Sequence, residues 1–384
     1  MTANEHAFLA PSSAYRWVRC SAAPSLEAQF PDTGDKEEAA QGTAAHWCME
    51  MLLESRLVVV GTTAPNGVVV TQQMIEAAEI IRDDVVETLG PSWFKLVEVE
   101  KRVAIPRVHP QHNWGTPDVK AWFTPRRLHV WDFKFGHDRV EVYENWQLID
   151  YAAGCLTEQN TRRQAAGEPA INESEIEIVM RVVQPRSYHR DGPIREWKVM
   201  ADQLRDYVHQ LSMAADEACG PTPTAKPDPV ACQHCSARHA CVALQKAVYR
   251  GMEIAERAQA CEMAPAALGL EARLLEDVSQ LINARKTGLQ EQILSLFRRG
   301  VAVPHWTLLP GQSRTVWNKP DIEIITMGQM MGLDLAKAIE AVTPTQAKTK
   351  GLDPEMAKMY SFTPQGALKL TIDTGSAARK IFSK

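Results

Sequence analysis

Three side chains near the middle of this 384-residue sequence have the types and spacing for metal chemistry. Asp118 lies in GTPD and Asp132 in WDFK, with Lys134 two residues beyond the second acid. Side chains alternate faces along an extended strand, so Asp132 and Lys134 project to one side and Phe133 to the other. Two carboxylates brought together can hold a divalent cation, and an ammonium group beside them can orient a water for attack.

For the acids to meet, the chain between them must fold back on itself. The segment LHVW before Asp132 has the β-branched and aromatic bias of a buried strand, and KAWF reads as its hairpin partner across Thr124, Pro125, Arg126 and Arg127. Residues 35–57 read as a helix containing GTAAHW, whose small residues permit close packing. His46 and Glu50 share a face of it, and such a lone histidine is ordinarily a half-buried packing residue. Residues 71–89 place Met74, Ile75, Ala78, Ile81, Val85 and Leu89 at helical spacing. The run 94–105 alternates as one strand, with Glu98 and Glu100 on its polar face as solvent-facing acids; a contribution to a metal site is the alternative.

Upstream, Ser12 and Ser13 read as the cap of a short helix broken near Pro24, with Cys20 at its end. Downstream, 144–157 is helical, with Gln147 and Tyr151 one turn apart on one face. A loop over 162–174, a strand over 175–184 and a helix over 200–219 follow, and together these make an α/β unit. The proline-rich connector GPTPTAKPDPVA leads into Cys232, Cys235 and Cys241, a spacing that suits one metal. His234 or His239 would complete a zinc knuckle, Cys20 would give four thiolates suited to an iron–sulfur cluster, and a loop of reduced thiols is the plain alternative. Residues 243–299 are helical almost throughout, as a hairpin or an arm. Beyond 300 a strand pair around Pro310 and Gly311 and a helical piece over 322–341 precede a tail from 343 in which lysine and arginine outnumber acids.

Composition sets wide bounds. No apolar run is long enough for a membrane span, and the first residues lack a secretion signal, so the expected compartment is cytoplasmic. Eight cysteines there read as thiols or metal ligands. The formal net charge of −5 leaves a nucleic-acid partner open, because local charge matters more than the sum.

GTAAHW, GTPD, WDFKFG and QLIDY, in this order over 42–151, resemble the RecB-like branch of the PD-(D/E)XK nuclease superfamily. One cysteine before this region and three after it resemble the iron–sulfur members of that branch, including the AddB subunit of bacterial helicase–nucleases and the CRISPR-associated adaptation nucleases. The resemblance implies a restriction-endonuclease-like α/β core over 1–242, a central mixed sheet flanked by helices. A helical arm over 243–299 and a small C-terminal α+β module over 300–384 would follow. It implies that His46, Asp118, Asp132 and the main-chain carbonyl of Phe133 bind Mg²⁺ or Mn²⁺, the nitrogen ligand favouring Mn²⁺. Asp118, Asp132 and Lys134 become catalytic, and Gln147 and Tyr151 hold DNA. Cys20 joins Cys232, Cys235 and Cys241 around a [4Fe–4S] cluster, with Zn²⁺ as the alternative.

The whole chain also resembles a family found largely in phages and prophages, often encoded beside single-strand annealing proteins. That implies a recombination exonuclease resecting linear duplex ends, with duplex or single-stranded DNA and an annealing protein as partners. An endonuclease and a non-catalytic DNA-binding scaffold are the alternatives.

Overall fold

The polypeptide begins with two short helices, α1 (Ala14–Trp17) and α2 (Ala23–Gln29), then two long ones, α3 (Glu37–Leu53) and α4 (Gln72–Leu89), and the single-turn α5 (Trp93–Leu96). Strands β1 (Val97–Val99), β2 (Val103–Ala104), β3 (Trp114–Gly115), β4 (Val119–Thr124) and β5 (Arg127–Phe133) follow, then helix α6 (Trp146–Ala165). Strands β6 (Glu177–Val183) and β7 (Ile194–Met200) precede helices α7 (Arg205–Cys219), α8 (Pro229–Gln233), α9 (Val242–Glu256) and α10 (Pro265–Arg298). These come from a computed structural model that describes residues 7–31, 37–256, 264–306 and 330. The helices and strands named above all fall in the first of two units, which includes residues 1–301. The strand pair near Pro310, the helical piece over 322–341 and the basic tail lie outside the described residues, as does nearly all of the 300–384 module.

Five strands form one mixed sheet in the order β1-β4-β5-β6-β7. β5 is antiparallel to β4 and parallel to β6, and the β5–β6 crossover is made by α6. A parallel pair needs such a crossover, and it leaves the central strand buried on both faces. On one face Leu128 and Val130 pack with Leu148, Ile149 and Leu156 of α6 and Leu211 of α7. On the other, Trp131 and Phe133 pack with Ala45 and Met49 of α3 and Ile81 and Val85 of α4. This is the mixed sheet flanked by helices that the resemblance implies.

Local chemistry sets the element ends. The Thr71 hydroxyl accepts the Met74 N–H and starts α4, and the Asn145 side chain accepts the Gln147 and Leu148 N–H groups and starts α6. Asn145 follows Glu144, whose φ of 54° is left-handed, so α6 begins later than the sequence pattern indicates; it also runs further, to Ala165. Pro24 opens α2 rather than breaking a helix, because proline lacks only an N–H that the first turn leaves unbonded. The Ser13 side chain makes no cap bond at α1. α3 ends at Leu53, short of residue 57, as Ser55 turns left-handed. The single strand expected over 94–105 is instead helix, strand and strand, interrupted at Glu100, whose φ is 47°.

Candidate active site

Hairpin register brings the two acids together. Val119 on β4 faces Trp131 on β5, so Asp118, one residue before, lies across from Asp132, one residue after. The two are locked through the backbone as well, the Phe133 N–H donating to Asp118 Oδ2 at 2.6 Å. A short bond from an amide to a carboxylate is of the charge-assisted kind and fixes the side chain. Asp132 is 1% exposed, and its Oδ1 is 3.0 Å from Lys134 Nζ, while its buried Oδ2 has no hydrogen-bond partner within the protein.

Lys134 leaves the end of β5, its N–H held by the Val183 carbonyl at 2.8 Å. Its ammonium also donates to Gln147 Oε1 at 3.1 Å, which draws the first turn of α6 into the site. Tyr151, one turn on, is 6% exposed and bonded to the Gln147 side chain. A Cβ added at Gly115 would fall 2.8 Å from both Tyr151 Cε1 and Pro11 Cδ, so the GTPD loop needs glycine to lie this close. Tyr151 thus buttresses Gln147 and the loop.

α3 presents His46 from the opposite face of the sheet. Its Nδ1 is 3.2 Å from Asp118 Oδ1 and 3.8 Å from Glu100 Oε1, and its ring lies 5.3 Å from that of Phe133. Ala44 and Ala45, both fully buried, let α3 approach that closely. Glu98 and Glu100 do not share one environment. Glu98 is 3.3 Å from Lys120 and 3.2 Å from Arg162, whereas Glu100 faces His46 and Asp118. Glu100 is the site residue that sequence reasoning set in solvent, with a metal contribution as the alternative; its signal was an acid on the polar face of the segment before GTPD.

The electrostatics follow from this crowding. Burial pulls the His46 pKa down, but the adjacent Asp118 carboxylate overcomes it and lifts the value to about 10. Burial works to raise Asp118, yet His46 and Lys134 hold it below the usual carboxylate range. For Asp132 burial prevails over Lys134, and the pKa rises to about 6. Burial opposes the Lys134 charge, but Asp132 and Asp118 keep its pKa raised. Carboxylate oxygens and one imidazole nitrogen, with a buried oxygen left open, suit a small divalent cation.

A model of the family described as "Protein of unknown function (DUF2800)" matches residues 6–372. The chain belongs to this family. Two solved structures resemble the DUF2800 chain distantly. One is the crystal structure of SSO0001, 11% identical with a TM-score of 0.32, matched over 63% of this chain and 89% of that one. The other is a protein named "Putative exonuclease" from Eubacterium rectale, 10% identical with a TM-score of 0.34, over 69% and 92%.

The four cysteines singled out in the DUF2800 chain also converge. Cys20, Cys232, Cys235 and Cys241 line one cavity, with Ala23 and Leu26 of α2 among its other walls. Asp228 caps α8 by accepting the Val230 and Ala231 N–H groups, which sets Cys232, and the Leu244 N–H donates to Cys241 Sγ at 3.5 Å. Burial raises the Cys20 thiol and pushes Cys232 up to about 11 and Cys235 to about 12, so without a metal they stay protonated. His239, one alternative fourth ligand, turns to the Ser236 carbonyl at 3.1 Å and to the Phe30 ring. A separate trio, His109, His112 and Cys219, also gathers ligand atoms. There His109 Nδ1 accepts the Gln111 and His112 N–H groups, which leaves the proton on Nε2 and makes the ring a turn cap.

Proposed function

We propose that this chain is a metal-dependent deoxyribonuclease, an exonuclease that resects the ends of linear duplex DNA to expose strands for annealing. The observation that carries the proposal is the convergence of His46, Asp118, Asp132, Lys134 and Gln147 around a buried, unpartnered Asp132 oxygen. The ligands proposed for Mg²⁺ or Mn²⁺ are His46, Asp118, Asp132 and the main-chain carbonyl of Phe133. Bound there, the cation supplies positive charge for the phosphodiester oxygens and makes a water more acidic.

Lys134 stays protonated at neutral pH, so its part is to donate to the attacking water or to a phosphate oxygen rather than to take a proton. Gln147 holds that ammonium in place, and Tyr151 steadies Gln147. His46 carries a proton when no metal is bound and must release it to ligate, so metal uptake liberates a proton.

The same proposal assigns Cys20, Cys232, Cys235 and Cys241 to a structural [4Fe–4S] cluster. Four soft donors lining one cavity support it, and a ligand joining segments so distant in sequence offsets a large loop-closure entropy. It also takes 1–242 as the catalytic core, 243–299 as a helical arm and 300–384 as a C-terminal module, with a single-strand annealing protein as partner.

Purified protein with Mn²⁺ or Mg²⁺ is expected to degrade end-labelled linear duplex and to spare covalently closed circles. Intact linear DNA, with Asp132→Ala indistinguishable from the unaltered chain, would sink the proposal. Nicked circles would replace exonuclease with endonuclease. After anaerobic purification the protein is expected to be brown, and colourless protein with stoichiometric zinc would replace the cluster with a zinc site.

A further inference from the structure

Helix α10 has a packed face and an exposed one. On the packed face Ala284 and Gly288 are buried, and a Cβ added at Gly288 would fall 2.9 Å from the His239 nitrogen. Arg285 donates to the Arg238 carbonyl at 3.0 Å, Glu291 pairs with the buried Arg238 at 2.6 Å, and Leu281 packs with Cys232, Leu244 and Val248. On the other face Leu268, Leu275, Ile282 and Leu289 recur every seven residues, and they are 56%, 56%, 37% and 41% exposed. Seven residues fall short of two full turns by only about 20°, so the four form one stripe about 32 Å long. An exposed apolar stripe of this kind marks an interaction surface, and heptad spacing is what keeps a seam facing a second helix.

Two charged side chains lie on that stripe by helical spacing, Glu271 three residues after Leu268 and Lys286 four after Ile282. Among the described residues neither is in an ion pair, whereas Arg273 and Glu291 of the same helix pair with Asp277 and Arg238. Their placement is self-complementary. An antiparallel copy of α10, turned about a two-fold axis between Val278 and Ser279, sets Leu268 against Leu289 of the second copy and Leu275 against Ile282. The same operation sets Glu271 against Lys286, twice. A parallel copy would instead oppose Glu271 to Glu271 and Lys286 to Lys286, which repel. We infer that the exposed stripe of α10 is a self-association surface on which a second copy of this chain docks antiparallel, in that register. Apolar burial supplies the attraction, and the two crossed charge pairs fix direction and register. The inference is independent of the metal site.

The test is sedimentation equilibrium of the full chain, with circular dichroism and thermal melts taken on each variant. The unaltered protein is expected to dimerise at micromolar concentration. Leu275→Glu changes a side chain outside the core, so helix content should be kept. It should raise the dimer dissociation constant at least about a hundredfold, because both copies lose a buried leucine. Glu271→Lys and Lys286→Glu should each weaken the dimer by about tenfold, as two attractions become repulsions, and the double variant should regain the unaltered affinity. In a parallel pair each single reversal only exchanges one like-charge contact for another, so loss followed by rescue reads direction. A monomeric unaltered chain overturns the inference; if its Leu275→Glu variant then melted several degrees lower, another segment of this chain would be what covers the stripe. A dimer that Leu275→Glu leaves intact would put the interface elsewhere. A dimer broken by Leu275→Glu but indifferent to the single charge reversals would refute the antiparallel register.

Discussion

The carboxylate centre and the cysteine cavity are both proposed metal sites, yet they are built by opposite means. At the first, strand register, a hydrogen bond from the Phe133 N–H to Asp118 and the Lys134–Gln147 contact fix the donors in place. His46 and Lys134 place positive charge beside three converging acids, which lets the fold tolerate them. At the second, buried and half-buried thiols from α8, its following loop and the chain after α1 meet around one cavity. Preorganisation serves catalysis, which needs geometry fixed in advance. A ligand-dependent clasp serves stability, because its binding free energy becomes folding free energy.

Four substitutions test that contrast, from the largest effect to the smallest. Asp132→Ala is expected to lower DNA cleavage by on the order of a thousandfold, the loss of several kcal/mol of charge stabilisation. It should leave the melting temperature unchanged or higher. Asp132 has a folded pKa of about 6 against 3.8 unfolded, so its stability contribution is full below 3.8 and is lost as pH rises through 6. Cleavage rates and thermal melts at pH 8 check both parts, and a large drop in stability would break the contrast.

Lys134→Met should slow cleavage by about a hundredfold, the scale of a lost transition-state donor, with Mn²⁺ still bound. Calorimetric titration alongside single-turnover kinetics separates the two. Cys232→Ala should behave the other way, with lost visible absorbance and a melting temperature lower by roughly 5–10 °C, the size expected for a lost structural metal clasp in a chain of this length. Folded molecules should keep their Mn²⁺ site. If cleavage per folded molecule fell as far as in Asp132→Ala, the cysteines would belong to catalysis.

The smallest effect belongs to Asp150, a fully buried acid between the two regimes. Burial pushes its pKa up to about 8 although the Asn113 amide, 3.0 Å away, pulls it down. A raised carboxyl pKa means stability is full below 3.8 and lost as pH climbs through about 8. Asp150→Asn should therefore melt a few degrees higher than the unaltered protein at pH 9 and match it at pH 4. Equal melts at pH 9 would show that Asp150 does not carry this dependence.

Much of the fold was readable because it is written in local periodicity. The hairpin around Pro125, the long helix ending at Leu89 and the strand before Gln184 appear where alternation and helical spacing place them. Strand β7 was passed over, since Arg195, Lys198 and Glu196 mask the inward Trp197 pattern at a sheet edge. Glu98 and Glu100 looked equivalent for the same reason. A period-two pattern carries no notice of the backbone turn at Glu100 that separates them.

The sequence by itself determined the donor types, their order and the elements that carry them: two acids on a hairpin, a lysine two residues on, a histidine on a small-residue helix and cysteines at metal spacing. Tertiary structure decided which donors share a site. It paired Asp118 with Asp132 by register, turned Glu100 inward, spent Tyr151 on packing against Gly115 and gathered Cys20 with the distant cysteines. The physical reason is that spacing fixes direction only within one element. Which faces meet is set by burying both sides of β5 at once, and that depends on every element packed against it.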